Sequence, residues 1–229
     1  MTAHRGWPVG AVLVGLLLVA AALLTRPGPE VSSTGAERAG QLAAAPPAAP
    51  APGEVPVRSG RPAGRTDPPR PVALRIDALG VTAEVDPVGV DGRGQLALPP
   101  RGDRLGWYRF GPGLDAAAGS VVIAGHVDTA AGPGALYRLA ALEPGDTISA
   151  TGSDGAVRTF RVVAREVHRK SGIPLERYFA RDGAPRLTLI TCGGPFDHGN
   201  LRYRDNVVVT ALPIGPDPPG PGSGPPERR

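Results

Sequence analysis

Apolar residues in the middle of the chain fall into short runs bounded by Gly, Pro or Asp. The runs are rich in Val, Ile, Leu and Thr, a composition and length typical of β-strands. Eight runs fit this description: Val72–Ile76, Val81–Val85, Gln95–Leu98, Ser120–Ala124, Thr147–Ala150, Val157–His168, Leu187–Thr191 and Asn206–Leu212. The pattern therefore predicts one all-β domain between residues 71 and 212, built as a small barrel or a sandwich.

Helical periodicity is scarce in the same region. Only Ala135–Leu142 and Pro174–Ala180 carry enough of it to predict a turn or two of helix. Pro174 suits a first helical position, where a missing N–H costs nothing.

A long apolar segment lies near the N-terminus. Trp7–Leu24 contains no charge and stands between Arg5 and Arg26. At about 1.5 Å per residue it extends roughly 27 Å, enough to cross a bilayer core. Residues 1–25 are therefore predicted to form a membrane anchor, with a cleaved signal peptide as the alternative because Ala20–Ala22 could serve as a cleavage site. The apolar run continues beyond these alanines, which favours the anchor, and both interpretations export the rest of the chain.

Composition separates the flanks from the middle. The chain has 33 Gly and 28 Pro among 229 residues, and the prolines are concentrated outside residues 71–212. Residues 26–70 are rich in Pro, Ala, Gly, Ser and Arg, which predicts an unstructured stalk that spans roughly 35–40 Å as a flexible coil. Residues 213–229 are predicted to form a similar tail.

Charge and cysteine content exclude several function classes. The net charge of +4 comes mostly from arginines scattered through the flanks, and no basic stripe with interleaved aromatics indicates nucleic-acid binding. A single cysteine excludes an intramolecular disulfide and any multi-cysteine metal site. No cofactor is expected.

That cysteine, Cys192, is the first candidate for chemistry. It ends the apolar run LTLITC and precedes Gly193-Gly194-Pro195, a sequence that predicts an abrupt strand end with small residues beside the thiol. A lone cysteine commonly serves as a small buried hydrophobe. In an exported protein, however, a free thiol is unusual enough to suggest a nucleophile.

A nucleophilic thiol needs a base nearby. His126 is the best candidate because it follows the apolar strand Ser120–Ala124, so neighbouring strands could bring it to Cys192. It could instead be a loop histidine capped by Asp128, or form a weak metal site with that residue. His198, six residues after Cys192, is a second possible base. Of the remaining histidines, His168 ends a strand and is expected at a surface or edge, and His4 is expected on the cytoplasmic side.

An oxyanion-stabilising cation completes this interpretation. Arg202 and Arg204 precede the last strand and share the same parity, so both could face one pocket. Arg204 lies closer to the strand and is the preferred candidate, while solvent-exposed arginines around Tyr203 remain an equal alternative.

Three motifs, in this order, resemble the sortases: GHVDT around His126, TLITCGGPFD around Cys192 and YRDNVVV around Arg204. The segments LRIDALGVTAEVDPVGVD, LGWYRFGPG and GPGALYRL are similar to the actinobacterial class F branch. The resemblance covers residues 72–212 and implies an eight-stranded β-barrel and a membrane-anchored transpeptidase on the outer face of a Gram-positive cell. It implies Cys192 as nucleophile, His126 as general acid and base, and an Arg as oxyanion stabiliser. The motif matching does not fix which Arg, and no acidic calcium cluster is evident.

The implied partners are proteins with an LPxTG-like sorting signal and an amine of a lipid II-like cell-wall precursor. An L,D-transpeptidase is the rival enzyme class, but it would carry an SHGC-like motif, and LIT precedes Cys192 instead. The rival outside enzymology is an inactive or substrate-binding extracellular β-domain.

Overall fold

The computed structural model describes residues 32–44 and 68–215, and most of the second range is β-structure. Ten strands follow in chain order: β1 (Pro71–Ile76), β2 (Val81–Val88), β3 (Leu105–Tyr108), β4 (Ser120–Ala124), β5 (Asp128–Thr129), β6 (Gly132–Pro133), β7 (Thr147–Gly152), β8 (Val157–Arg169), β9 (Arg186–Asp197) and β10 (Arg202–Pro213). The helices are α1 (Ala36–Ala44), α2 (Leu175–Tyr178) and two 3₁₀ turns, Asp77–Leu79 and Leu139–Ala141.

Eight of the strands close into a barrel in the order β1-β2-β3-β4-β9-β10-β8-β7, while β5 and β6 pair only with each other. The all-β fold and the eight-stranded barrel predicted from the sequence are confirmed. Two neighbouring pairs, β2 with β3 and β4 with β9, are parallel. Because β4 and β9 run in the same direction, their C-terminal ends meet at one rim of the barrel.

Alternation along the strands separates an interior from an exterior face. Leu187 and Leu189 of β9 and Val207 and Val209 of β10 belong to the central hydrophobic core, and each is at most 3% exposed. Side chains of successive strand residues point to opposite faces. The intervening positions of β9 and β10, Cys192 among them, therefore lie on the outside of the barrel.

Part of the outer face is covered by α1, which contradicts the prediction of an unstructured stalk for this stretch. Ala39 and Leu42 of α1 are buried, and Thr34 exchanges two backbone hydrogen bonds with Arg165 of β8, at 2.6 and 2.8 Å. Residues 32–44 contain too little apolar surface to fold alone. The part of β8 that extends beyond its pairing with β7, together with the outer face of the barrel, supplies the partners that the segment lacks.

The third strand of the barrel is not the one predicted. In place of a strand at Gln95–Leu98, the structure has a single bridge between Val90 and Leu96, while β3 lies further along the chain. The predicted helix at Ala135–Leu142 contains only turns and a short 3₁₀ turn. The second predicted helix is present as α2, with Pro174 as its N-cap rather than its first helical residue.

The strand that carries Cys192 continues beyond the point where the sequence predicts its end. β9 runs on to Asp197, and its ladder with β10 shifts register between Tyr203 and Asp205. Gly194 adopts a left-handed φ of 72° at this irregularity, and a Cβ on it would collide with the Asp205 carboxylate. Glycine thus lets the strand pass through a bulge instead of stopping it.

The predicted anchor, Trp7–Leu24, lies outside the described residues, as does most of the predicted tail. In the ranges 32–44 and 68–215, no helix has both the length and the apolar character needed to cross a membrane.

Candidate active site

His126 and Cys192 occupy equivalent positions just past the paired segment of two neighbouring parallel strands. Ala124 of β4 pairs with Ile190 of β9. His126 lies two positions after Ala124, and Cys192 lies two positions after Ile190. The pairing continues past Ala124, because the Gly125 N–H donates to the Ile190 carbonyl at 3.1 Å. The Thr191 hydroxyl also donates to the Gly125 carbonyl, at 2.9 Å. The register therefore brings His126 alongside Cys192 on the outer surface of the barrel.

The imidazole of His126 is oriented by a backbone carbonyl. Its Nε2 lies 3.1 Å from the Pro99 carbonyl oxygen. A carbonyl only accepts, so this contact requires a hydrogen on Nε2 and leaves Nδ1 for exchange of protons with another group.

The thiol of Cys192 is partly exposed and contacts one side-chain cation. The Lys170 ammonium donates to Sγ at 3.3 Å. Lys170 follows directly after β8, and its backbone N–H donates to the Arg204 carbonyl at 3.1 Å. Sequence reasoning did not assign this residue to the site, although it is the only lysine in the chain. Its proximity to Cys192 depends on the strand order, in which β10 separates β8 from β9.

Arg204 lies nearer to the cysteine than Arg202 does along β10. Asn206 pairs directly with Cys192, and Arg204 is two positions from Asn206 while Arg202 is four positions away and pairs with Asp197. Both arginines are within the strand rather than before it, and both are exposed. Within residues 32–44 and 68–215, the Arg204 guanidinium has no hydrogen-bond or ion-pair partner, so its donors remain available to a ligand.

A tyrosine connects the loop after His126 to the β9–β10 hairpin. The Tyr203 hydroxyl donates to the Asp128 carboxylate at 2.5 Å. This hydrogen bond, followed by burial, raises the pKa of Tyr203 to about 12. Asp128, which the sequence suggested as a cap or a metal ligand, therefore holds the loop that contains His126 against the hairpin that contains Cys192 and Arg204.

The other histidines lie away from the thiol. His198 is exposed near the tip of the β9–β10 hairpin, where its ring packs on Phe196. His168 lies in the same cross-strand row as Asn206 and Cys192, but its Nε2 is engaged by the Tyr178 hydroxyl at 2.6 Å. His4 lies outside the described residues. Among those residues, no group of three potential metal ligands comes together.

The arrangement combines a thiol, an imidazole and positive charge. Lys170 and Arg204 place two cations on the surface that contains Cys192 and His126. Positive charge beside a carbonyl under attack can stabilise the oxyanion that forms on it. A thiol, an imidazole and a guanidinium on one face of the barrel are the functional groups found in one class of enzymes, those that transfer acyl groups through a cysteine.

The comparisons with known proteins agree with this class. A model of the sortase domain matches residues 74–214, more than half of the chain, so the protein belongs to the sortase family, a family of cysteine transpeptidases. No curated protein matches the chain.

Among solved structures, sortase C1 from Streptococcus suis is 15% identical with a TM-score of 0.51, and the match covers 65% of this chain and 74% of that one. Sortase A from Corynebacterium diphtheriae is 21% identical with a TM-score of 0.47, and the match covers 69% of this chain and 66% of that one. Sortase C2 of pilus island 1 of Group B Streptococcus is 15% identical with a TM-score of 0.48, covering 62% and 73%. At these identities, the likeness to the Streptococcus suis structure supports the fold alone.

Proposed function

We propose that the protein is a transpeptidase that cleaves an LPxTG-like sorting signal and transfers the released protein to a cell-wall amine. The observation that carries the proposal is the juxtaposition of Cys192 and His126 on adjacent parallel strands, with Arg204 on the next strand. Membership of the sortase family supports the same chemistry.

In the acylation step, the Cys192 thiolate attacks the Thr–Gly carbonyl of the sorting signal and an S–C bond forms. Arg204 stabilises the negative charge that develops on the carbonyl oxygen. His126 gives a proton to the departing glycine amine as the C–N bond breaks, which leaves a thioester on the enzyme. The free Arg204 donors and the unoccupied Nδ1 of His126 support these roles.

In the second step, an amine of a lipid II-like precursor attacks the thioester. His126 takes a proton from the attacking amine, the S–C bond breaks, and an amide joins the substrate protein to the wall precursor. Water in place of the amine would make the same site a protease. The open position of the thiol on the outside of the barrel supports access by two large substrates.

The finer assignment is to the actinobacterial class F branch, which rests on the segments LRIDALGVTAEVDPVGVD, LGWYRFGPG and GPGALYRL. The corresponding location is the outer face of a Gram-positive cell, with Trp7–Leu24 as a single-pass anchor.

Incubation of the full-length protein in detergent with a quenched fluorescent LPxTG peptide and an amine acceptor tests the proposed reaction. We expect cleavage by the native protein and trapping of the acyl group by hydroxylamine as a hydroxamate, because a thioester reacts with that nucleophile. Cys192→Ala should abolish both. Equal cleavage by Cys192→Ala would contradict the mechanism, and no cleavage by the native protein would favour a substrate-binding β-domain.

The two arginines of β10 provide a matched pair within the same assay. Removing one oxyanion donor typically costs about 10²–10³ in kcat. We therefore expect Arg204→Gln to lose about that factor and Arg202→Gln to stay within a few-fold of the native rate. The reverse order would assign the oxyanion role to Arg202.

A further inference from the structure

The contact between Lys170 and Cys192 is not a consequence of an abundance of lysine. The chain has 25 Lys and Arg residues, and Lys170 is the only Lys. Its Nζ lies 3.3 Å from Sγ of the only cysteine. A lysine differs from an arginine in presenting a compact point charge on a flexible stem, which suits a single spherical acceptor such as sulfur.

The fold determines the position of the Lys170 backbone, from which the side chain extends. Residues 168 and 170 share one face of the end of β8, and His168 pairs across β10 with the row that contains Cys192. The Lys170 N–H is bound to the Arg204 carbonyl, so its backbone is anchored to the neighbouring strand. From that anchor the side chain extends across β10 to the thiol on β9.

We propose that Lys170 is a catalytic residue that holds Cys192 in the thiolate form. An ammonium in direct contact favours the charged form of a thiol over the neutral one. The inference rests on the proposed function, in which Cys192 is the nucleophile.

Lys170 acts in both steps of the reaction, acylation and deacylation. In the free enzyme it raises the fraction of thiolate available for attack on the carbonyl carbon. Once the S–C bond forms, the sulfur is uncharged and the ammonium is released from it. When the acceptor amine expels the sulfur, the returning thiolate is again stabilised by Lys170, so no additional reactant is needed.

Other charged groups lie near the thiol on the neighbouring elements of the barrel. Arg204 lies on β10 and adds a positive charge. His126 follows β4 and adds a second positive charge when it is protonated. The nearby carboxylates are those of Asp128, which accepts the Tyr203 hydrogen bond, and Asp205, which pairs with Gly193 next to Cys192. Lys170 is the only one of these cations whose ammonium or guanidinium contacts the sulfur among the residues the structure describes.

The rate of Cys192 alkylation by iodoacetamide, measured from pH 5 to 10 on the full-length protein, tests the proposal. We expect Lys170→Gln to move the midpoint of the pH profile upward by about one pH unit, with a correspondingly slower rate near pH 7. Lys170→Arg should restore most of the shift. Arg169→Gln is the matched control, because it removes one positive charge from the exposed neighbouring position and should leave the midpoint unchanged. An unchanged midpoint in Lys170→Gln would overturn the proposal.

The uniqueness of the lysine allows a second measurement without any substitution. With Cys192 protected as a mixed disulfide, amine acetylation neutralises Lys170 and the N-terminal amine, whereas reductive methylation modifies the same groups and keeps their charge. After reduction, the acetylated protein should show the raised midpoint and the methylated protein the native one. Identical midpoints in both would overturn the proposal even if Lys170→Gln failed to fold.

Failure of this inference is distinguishable from failure of the proposed function. Alkylation requires no sorting signal, so a midpoint shift without LPxTG cleavage would support Lys170 and contradict the substrate. Cleavage by the native protein with no midpoint shift would support the substrate and contradict Lys170.

Discussion

The Tyr203 hydroxyl connects two parts of the site that are distant along the chain. It lies on the strand that contains Arg204 and binds Asp128 in the loop that contains His126. Under the proposed function, Tyr203 and Asp128 are positioning residues, because their hydrogen bond holds that loop and involves neither Cys192 nor His126.

The pH behaviour of Tyr203 reports this contact in solution. Its pKa is raised from 10.0 to about 12, chiefly by the hydrogen bond to Asp128. The folded state therefore keeps the phenol proton longer than the unfolded state does. Stabilisation from the contact is fully present below about pH 10 and is lost as the pH rises through 12. The ultraviolet difference titration between the native protein and Tyr203→Phe should show one phenol with a midpoint near 12.

Asp128→Asn gives the control for this titration, because it removes the carboxylate charge and leaves a similar shape. We expect the Tyr203 midpoint to move down toward 10. A native midpoint already near 10 would mean that the contact does not form in solution.

Only some residues of the candidate site could be predicted from the sequence. Cys192, His126 and Arg204 stand beside apolar runs, so their placement at strand ends or within strands follows from pattern alone. Lys170 and Tyr203 carry no such signal. Their contacts depend on which strands are neighbours, and a pattern of apolar residues does not specify strand order.

At the scale of elements, α1 is a helix that the sequence did not predict. The backbone around Gly183, which has a φ of 75°, lies directly against the last turn of α1, and a Cβ on Gly183 would come within 2.7 Å of the Leu42 carbonyl oxygen. The Ala184 N–H donates to that same oxygen at 3.1 Å. The helix is thus held by two buried side chains, Ala39 and Leu42, and by backbone contacts that have no distinctive sequence.

Shortening the buried side chain of α1 should weaken the fold measurably. We expect Leu42→Ala to lower the free energy of unfolding by about 2 kcal/mol, because a buried leucine loses both its burial and its packing contacts. Gln41→Ala, at the exposed neighbouring position, should change it by less than about 0.5 kcal/mol. Chemical denaturation measures both. Equal effects would show that α1 does not pack on the barrel in solution.

Strand prediction succeeded where burial on one or both faces leaves a continuous or alternating apolar run, as in β4, β8, β9 and β10. It failed for β3, whose four residues include Gly106. A Cβ at Gly106 would lie 2.9 Å from the Val88 side chain on β2, so this strand needs the residue that lowers strand propensity. Close packing between strands, absent from any local pattern, explains the missed element.

For the whole molecule, closure of the barrel predicts cooperative unfolding. Every barrel strand pairs on both sides, so no strand can detach without breaking two ladders. Trp107 on β3 pairs with Ile123 on β4 and is 8% exposed, which makes it a probe of closure. In a Trp7→Phe background, where Trp107 is the only tryptophan, its fluorescence and far-ultraviolet circular dichroism should share one urea midpoint.

Separate midpoints in that experiment would show that β1–β3 unfold independently of the strands that contain the site. The Trp7→Phe change lies outside the described residues, and comparison of its circular dichroism with that of the native protein checks that it leaves the barrel unaffected.

The parallel pairing of β4 with β9 also determines when the site comes into existence. The Thr191 hydrogen bond to Gly125 spans 66 positions, and a parallel pair cannot be nucleated by a tight hairpin. Contacts between residues so far apart in the sequence form late in folding, because loop-closure entropy opposes them until other contacts are in place. A chain that is still folding therefore contains Cys192 well before His126 is brought next to its thiol. Under the proposed function, folding and activation are then one event, and an incompletely folded copy of the protein carries a thiol without its catalytic partner.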